Sequence, residues 1–304
     1  MSFLHAHSDH SGNIIISVLE EVFLHGLLDT LKIIPFLFLT YLLMEFIEHK
    51  ASDKTQKLIK KSGKFAPVAG GLLGAVPQCG FSAAASNFYA GRVITLGTLV
   101  AVFLSTSDEM LPILISGKFS LFGIVTILLY KALIGTLVGF SIDIFLRLTR
   151  HKEEDIDIDA ICESDSCHCE NGILRSALHH TVSIGFFVLL VTLLLNALIF
   201  FVGDEALRNV LYNKPVISHA IAAVFGLIPN CAASVALSDL FVEGFITAGT
   251  MISGLFSGAG VGLLVLFKTN RKRIKENLAV MAILVLAGFV FGLIFDLTEL
   301  GSFI

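Results

Sequence analysis

The sequence predicts an all-α integral membrane protein built from two homologous helical repeats, each with a PxC segment that is a broken helix or a re-entrant hairpin. Three observations carry this expectation. Of 304 residues, 55% are hydrophobic and 15% charged, and the mean hydropathy is +0.85, which is more apolar surface than one soluble core covers. The apolar residues fall in eight runs, 27–47, 65–90, 93–116, 121–146, 176–201, 215–242, 245–267 and 278–300, each near the ~20 residues a helix needs to cross a bilayer. Finally, GAVPQCGFSAAAS at 74–86 returns as GLIPNCAASVALS at 226–238, and over 74–105 against 226–257 the two stretches are identical at 11 of 32 positions. Composition alone gives about one match in ten. After a slip of one residue the pattern continues through Gly135/Gly288, Gly139/Gly292 and Asp143/Asp296. Alternating barrel strands are absent, so helices are the expected way to satisfy the backbone in lipid.

Taken in order, residues 1–13 form a His-rich tail in which His5, His7, Asp9 and His10 either hold a divalent cation weakly or are plain solvated side chains. No Lys or Arg precedes the apolar stretch from Ile14 and no small-residue cleavage site follows it, so no removable signal peptide is expected. Repeat 1 occupies 14–146. Near its start Glu21, His25 and Asp29 stack at helical spacing with Lys32 beyond them, a water-filled path or the wet face of an interfacial helix. The loop 50–64 carries six lysines and is placed in the cytoplasm by the positive-inside rule. In 65–90 the prolines and glycines predict a break at Pro77 to Gly80. Residues 93–116 read as one helix with a polar centre, Ser-Thr-Ser-Asp-Glu at 105–109, closed by Pro112. The run 121–146 carries Lys131 and Asp143, and the latter, like Asp296, reads as a gating or a capping group at a helix end. A polar Cys/His/acidic linker covers 147–175, and repeat 2 covers 176–304.

Positive charge discriminates between two topologies. Fully spanning PxC segments make the repeats parallel and divide Lys and Arg 14 inside to 5 outside; PxC segments that enter and return make the repeats inverted, 16 to 3, with Lys32 and Lys131 in the membrane. The inverted arrangement fits better. The net charge of −4 identifies no partner.

Inverted repeats whose interrupted helices meet near the midplane bind substrate at the repeat interface. That interface would present Gln78, Cys79 and Ser82 from one repeat and Asn230, Cys231 and Ser234 from the other; the competing reading makes the two cysteines small fillers beside a Pro kink. Asp108 and Glu109 are the sharpest single feature, because adjacent carboxylates in an apolar segment are expensive unless paired or wetted. Their counterparts are Gly260 and Val261, so one repeat supplies acid and the other open backbone, as a cation site or proton-coupled carboxylate requires. A structural ion pair with Lys131 is the alternative. The linker cluster Cys162, Cys167, His168 and Cys169 has soft-metal donors without zinc-finger spacing, and reads as a metal-acquiring loop or as an acidic linker with incidental cysteines. Five cysteines do not make a disulfide framework.

The strings VPQCGFSAAASNFYAGRVITLGTLVAVFLSTSDEMLPIL and IPNCAASVALSDLFVEGFITAGTMISGLFSG, with a His/Cys-rich loop between them, resemble the ten-transmembrane heavy-metal exporters, a family whose members are labelled arsenic efflux proteins or manganese transporters. The resemblance covers nearly the whole chain and implies metal or metalloid export through the cell membrane. Ten crossings would require Ile14–Leu28 and a split PxC segment beside the eight runs. Asp108, Glu109 and amide oxygens suit a divalent ion such as Mn2+, whereas Cys79 and Cys231 suit trivalent arsenic. The expected partners are the metal or metalloid, the lipid bilayer, protons as coupling ion and a second copy of the chain, with no nucleic acid and no cofactor. A membrane metal sensor or thiol-redox protein using the linker cluster is the reading from another class. No Walker motif or phosphate loop occurs, so the chain is not expected to be an enzyme or to pump with ATP by itself.

Overall fold

The computed structural model describes residues 66–75, 79–106, 110–149, 173–202, 215–229 and 231–298, with scattered positions between 27 and 42. All regular structure among them is helical. The helices are α1 (Ala66–Gly74), α2 (Cys79–Ala90), α3 (Leu96–Ser105), α4 (Met110–Ser116), α5 (Leu121–Thr149), α6 (Ile173–Val202), α7 (Pro215–Gly226), α8 (Cys231–Val242), α9 (Ala248–Ser257), α10 (Val261–Thr269) and α11 (Ile274–Leu297). Three stretches of the described residues are long and apolar enough to cross a membrane: Leu121–Thr149, Ala248–Thr269 and Arg271–Leu297. Large apolar side chains are exposed every fourth residue along α5 (Leu121, Val125, Leu129, Leu133, Leu137) and α6 (Leu174, Leu178, Val182, Phe186, Leu190). Stripes of that length are tolerated against lipid and not against water.

Helices α3 and α9 lie at the centre, buried on every side: all ten residues of α9 and nine of the ten in α3 are shielded. Each starts the same way. Thr95 caps α3 by accepting from the Thr98 amide at 3.1 Å and donates its own hydroxyl to Asp143 at 2.7 Å, while the Gly97 amide donates to the other Asp143 oxygen at 2.9 Å. Thr247 caps α9 through the Thr250 amide at 3.1 Å and donates to Asp296, which also accepts from the Gly249 amide at 2.7 Å. A carboxylate from the end of α5 or α11 thus satisfies helix N-terminal donors that nothing else in an apolar core would meet. Asp143 and Asp296 are thus capping groups in this structure. In the second half alone a buried histidine joins, His219 Nε2 lying 3.2 Å from Asp296.

Small residues allow this proximity. A Cβ at Gly97 would collide with the Gly139 carbonyl and Asp143, and one at Gly249 with Asp296 and the Gly292 carbonyl. Gly135-x3-Gly139-x3-Asp143 and Gly288-x3-Gly292-x3-Asp296 are accordingly small-residue seams on which α3 and α9 lie. Helix α1 lies on α3 with Gly70 beside Thr98 and Gly74 beside Val102 and Ser105, so the two run in one direction; α7 lies on α9 likewise, with Gly226 beside Gly254 and Ser257.

The ends of α2 and α8 turn identically. The amides of Arg92 and Val93 donate to the carbonyls of Tyr89 and Phe88, and those of Gly244 and Phe245 to Phe241 and Leu240, a C-terminal motif with a left-handed residue at Arg92 (φ 59°) and Gly244 (φ 79°). An arginine in that conformation costs about 1 kcal/mol that glycine does not. Its guanidinium is held in return by Glu276 at 3.0 Å, which also accepts from Tyr89 at 3.0 Å. Burial opposes the Arg92 charge, yet the hydrogen bond and attraction from Glu276 keep its pKa above the ordinary arginine value.

Candidate functional site

One expectation fails in a way that defines the site. The segment 93–116 is not one helix: α3 ends at Ser105, with Thr106 as its cap, and α4 begins at Met110. Pro112 is the third residue of α4 and closes nothing, a first-turn position that Pro tolerates. The second half is interrupted at the equivalent place, Gly258–Gly260, where Gly260 has φ 53°. Asp108 and Glu109 thus belong to a stretch between two half-helices rather than to the middle of one. Both lie outside the described residues.

The PxC breaks fall where expected, and slightly earlier. Helix α1 stops at Gly74 and α2 opens on Cys79, so Gly80 is already helical; α7 stops at Gly226 and α8 opens on Cys231. The C-terminal ends of α1 and α3 meet at Gly74 and Ser105, and those of α7 and α9 at Gly226 and Ser257. Each half then crosses to the other, since α2 packs along α10 and α4 against α8. At the first crossing Ser82 is fully buried, a Cβ on Gly262 would stand 2.8 Å from it, and Ser86 donates to the Gly262 carbonyl at 2.6 Å. At the second, Met110 occupies the place of Gly262 and the Ser238 hydroxyl, equivalent to Ser86, is fully buried with no hydrogen-bond partner among the described residues. The two crossings are therefore unlike, one sealed on glycine and the other holding an unmet hydroxyl.

Lys131 joins the halves. Fully buried in α5, it donates to the Thr106 carbonyl at 2.5 Å and to the Leu255 carbonyl at 2.9 Å, and its ammonium lies 5.6 Å from the centre of the Phe256 ring. Both carbonyls belong to helix C-terminal turns, where backbone acceptors are left over and the helix dipole is negative. The Ala259 amide, which would close the helical bond to Leu255, donates to Ser257 instead. One ammonium thus brings the last turns of α3 and α9 within two hydrogen bonds of each other. Sequence reasoning gave Lys131 as a partner for Asp108 and Glu109; it missed the carbonyl of Leu255, 124 residues away.

Of the other predicted site residues, Ser234 sits part-buried on α8. Gln78 and Asn230 lie outside the described residues, as do the side chains of Cys79 and Cys231, whose backbones open α2 and α8. So do the tail histidines His5, His7 and His10, the acid face at Glu21 to Asp29, and the linker group Cys162, Cys167, His168 and Cys169. Among the described residues no three His, Cys, Asp or Glu side chains converge as metal ligands.

Interrupted helices whose leftover main-chain oxygens meet around a buried lysine, in a chain with helices long and apolar enough to cross a membrane, are backbone breaks that membrane proteins keep only where protein or a cavity surrounds them. The profile of the family described as "Putative, 10TM heavy-metal exporter" matches residues 18–201, and the chain belongs to that family. Neither a curated protein nor a solved structure matches it.

Proposed function

We propose that the chain is a secondary permease of the cell membrane that exports a heavy-metal cation, with a divalent ion such as Mn2+ as substrate. The observation that carries the reading is the meeting of interrupted helices from both halves at the Thr106–Lys131–Leu255 bridge, two residues before the Asp108–Glu109 pair. Carboxylates and main-chain carbonyls are hard donors that replace the hydration shell of a divalent ion.

The two halves are read as inverted repeats with re-entrant PxC hairpins. Support comes from which ends touch. Tyr89 at the end of α2 and Arg92 just beyond it bond Glu276 at the start of α11, and the ring of Phe119, two residues before α5, lies 5.1 Å from that of Phe241 at the end of α8. In parallel repeats each pair would be separated by the membrane. Within a half, α1 rises beside α3 and the tight turn after Ala90 returns the chain to the level where α3 starts, as a hairpin requires. The face holding Arg92, Arg147 and the Arg271–Arg273 turn is then cytoplasmic. Gln78, Cys79, Asn230, Cys231 and Ser234 are the residues this reading puts on the path where the hairpins meet, Ser82 being packed away against Gly262, and the Cys162–Cys169 linker is the segment it assigns to capturing ions on the cytoplasmic side.

Arsenite is the second reading, favoured by cysteines that open α2 and α8 at equivalent positions, since thiolates suit trivalent arsenic. Export assays decide between them. Cells expressing the chain are expected to accumulate less Mn2+ and to survive more of it, with smaller effects for Zn2+, Cd2+, arsenite and an organoarsenical; protection against arsenicals alone would replace the divalent assignment. In the same assay a chain lacking residues 155–170 should need more cytosolic metal for half-maximal export at an unchanged maximal rate, because a capture loop alters occupancy and not translocation. A lowered maximal rate with unshifted concentration dependence would remove the linker from ion capture.

A further inference from the structure

The Lys131 bridge does more than cap. A lysine that only satisfied leftover carbonyls would be expected in both halves or in neither, yet the offset that pairs Gly135 with Gly288 pairs Lys131 with Leu284. One ammonium serves the ends of two helices from two halves, Thr106 at 2.5 Å and Leu255 at 2.9 Å, in a fully buried position. Among the groups it touches are main-chain oxygens at helix breaks and an aromatic face, Phe256 at 5.6 Å. These are the groups that hold a bare cation. We infer that the Thr106 and Leu255 carbonyls form part of a cation site and that the Lys131 ammonium is its tethered occupant when substrate is absent.

The inference rests on the exporter reading and adds selectivity to it. A tethered ammonium has a high effective concentration at the site. A monovalent ion of equal charge does not displace it, whereas a divalent ion, with twice the attraction to the same oxygens, does. Lys131 thereby excludes Na+ and K+, and it keeps the charge of the empty site balanced while the carrier returns.

The test is Mn2+ binding to the purified full-length chain, followed as loss of the free-ion electron paramagnetic resonance signal. Lys131→Gln keeps amide donors for the two carbonyls but removes the charge; Lys131→Met removes both. Both variants are expected to bind Mn2+ about 10- to 100-fold more tightly than the wild type, as removal of a like charge beside a divalent ion requires. Excess K+ should compete in the variants and not in the wild type. A variant that elutes like the wild type on gel filtration and binds Mn2+ no more tightly overturns the inference. Where neither variant folds, the wild type decides: Mn2+ should increase modification of Lys131 by a small permeant imidoester, and unchanged or reduced modification overturns it. Wild-type binding without tightening in the variants sinks only the tethered-cation inference; a wild type that neither binds nor transports any divalent ion takes the exporter reading with it.

Discussion

Export is expected to disappear when Asp108 becomes Asn and Glu109 becomes Gln together. The pair lies between two half-helices, immediately beyond the Thr106 carbonyl that accepts from Lys131. Without the carboxylates a divalent ion would have to shed its water for carbonyls alone. Leaving a buried charge uncompensated costs about 3–5 kcal/mol, so the transport rate at limiting metal should fall by more than about 100-fold. The double variant should nevertheless reach the membrane in normal amount and elute normally in detergent, because the Thr95–Asp143 and Thr247–Asp296 caps and the glycine seams that pack α3 and α9 are left untouched. Unchanged metal resistance would remove Asp108 and Glu109 from the site.

The second large effect is on the fold. Gly97→Ala and Gly249→Ala each place a methyl group where a carboxylate and a glycine carbonyl already sit, Asp143 Oδ1 being 2.5 Å from the Cβ that Gly97 lacks. Relief requires the seam to open and the capping carboxylate to withdraw. Overpacking costs about 1–3 kcal/mol and the lost cap about 1 more, which for a chain of this size lowers the thermal midpoint by on the order of 10 °C. Gly185→Ala on α6, where the nearest atom is Ile34 at 3.7 Å, should leave it in place. Equal midpoints for all three variants would mean that the Gly-Asp seams do not carry the packing of α3 and α9.

Much of this was legible in the residues. The 152-residue offset that relates the PQC and PNC strings also relates the observed helix bounds: 79–90 to 231–242, and 96–105 to 248–257. Pro77 and Pro229 announce their breaks because a missing donor and a fixed φ end a helix locally. The break after Thr106 was not read, since the apolar run continues to 116 and no Gly or Pro stands between Gly97 and Pro112. Its signal was indirect. Ser, Thr and Asp compete for backbone hydrogen bonds, and the positions of Thr106 and Asp108 are held in the second half by Gly258 and Gly260. Contacts between halves left no trace in local pattern. Lys131 with Leu255, Arg92 with Glu276 and Ser86 with Gly262 join residues more than 120 positions apart, and only the folded chain brings them together.

The claim on which the account turns is that the halves are antiparallel, so that both pairs of broken helices reach one site from opposite faces. Three single cysteines test it, at Ser120 between α4 and α5, at Glu243 after α8 and at Lys272 between α10 and α11, each on a background with Cys162, Cys167 and Cys169 replaced by Ser and with the labelling of the parent subtracted. In intact cells an impermeant thiol reagent is expected to label positions 120 and 243 and to leave 272 unlabelled. Labelling of 243 alone, with 120 silent like 272, is what parallel halves require, and it would contradict the midplane site.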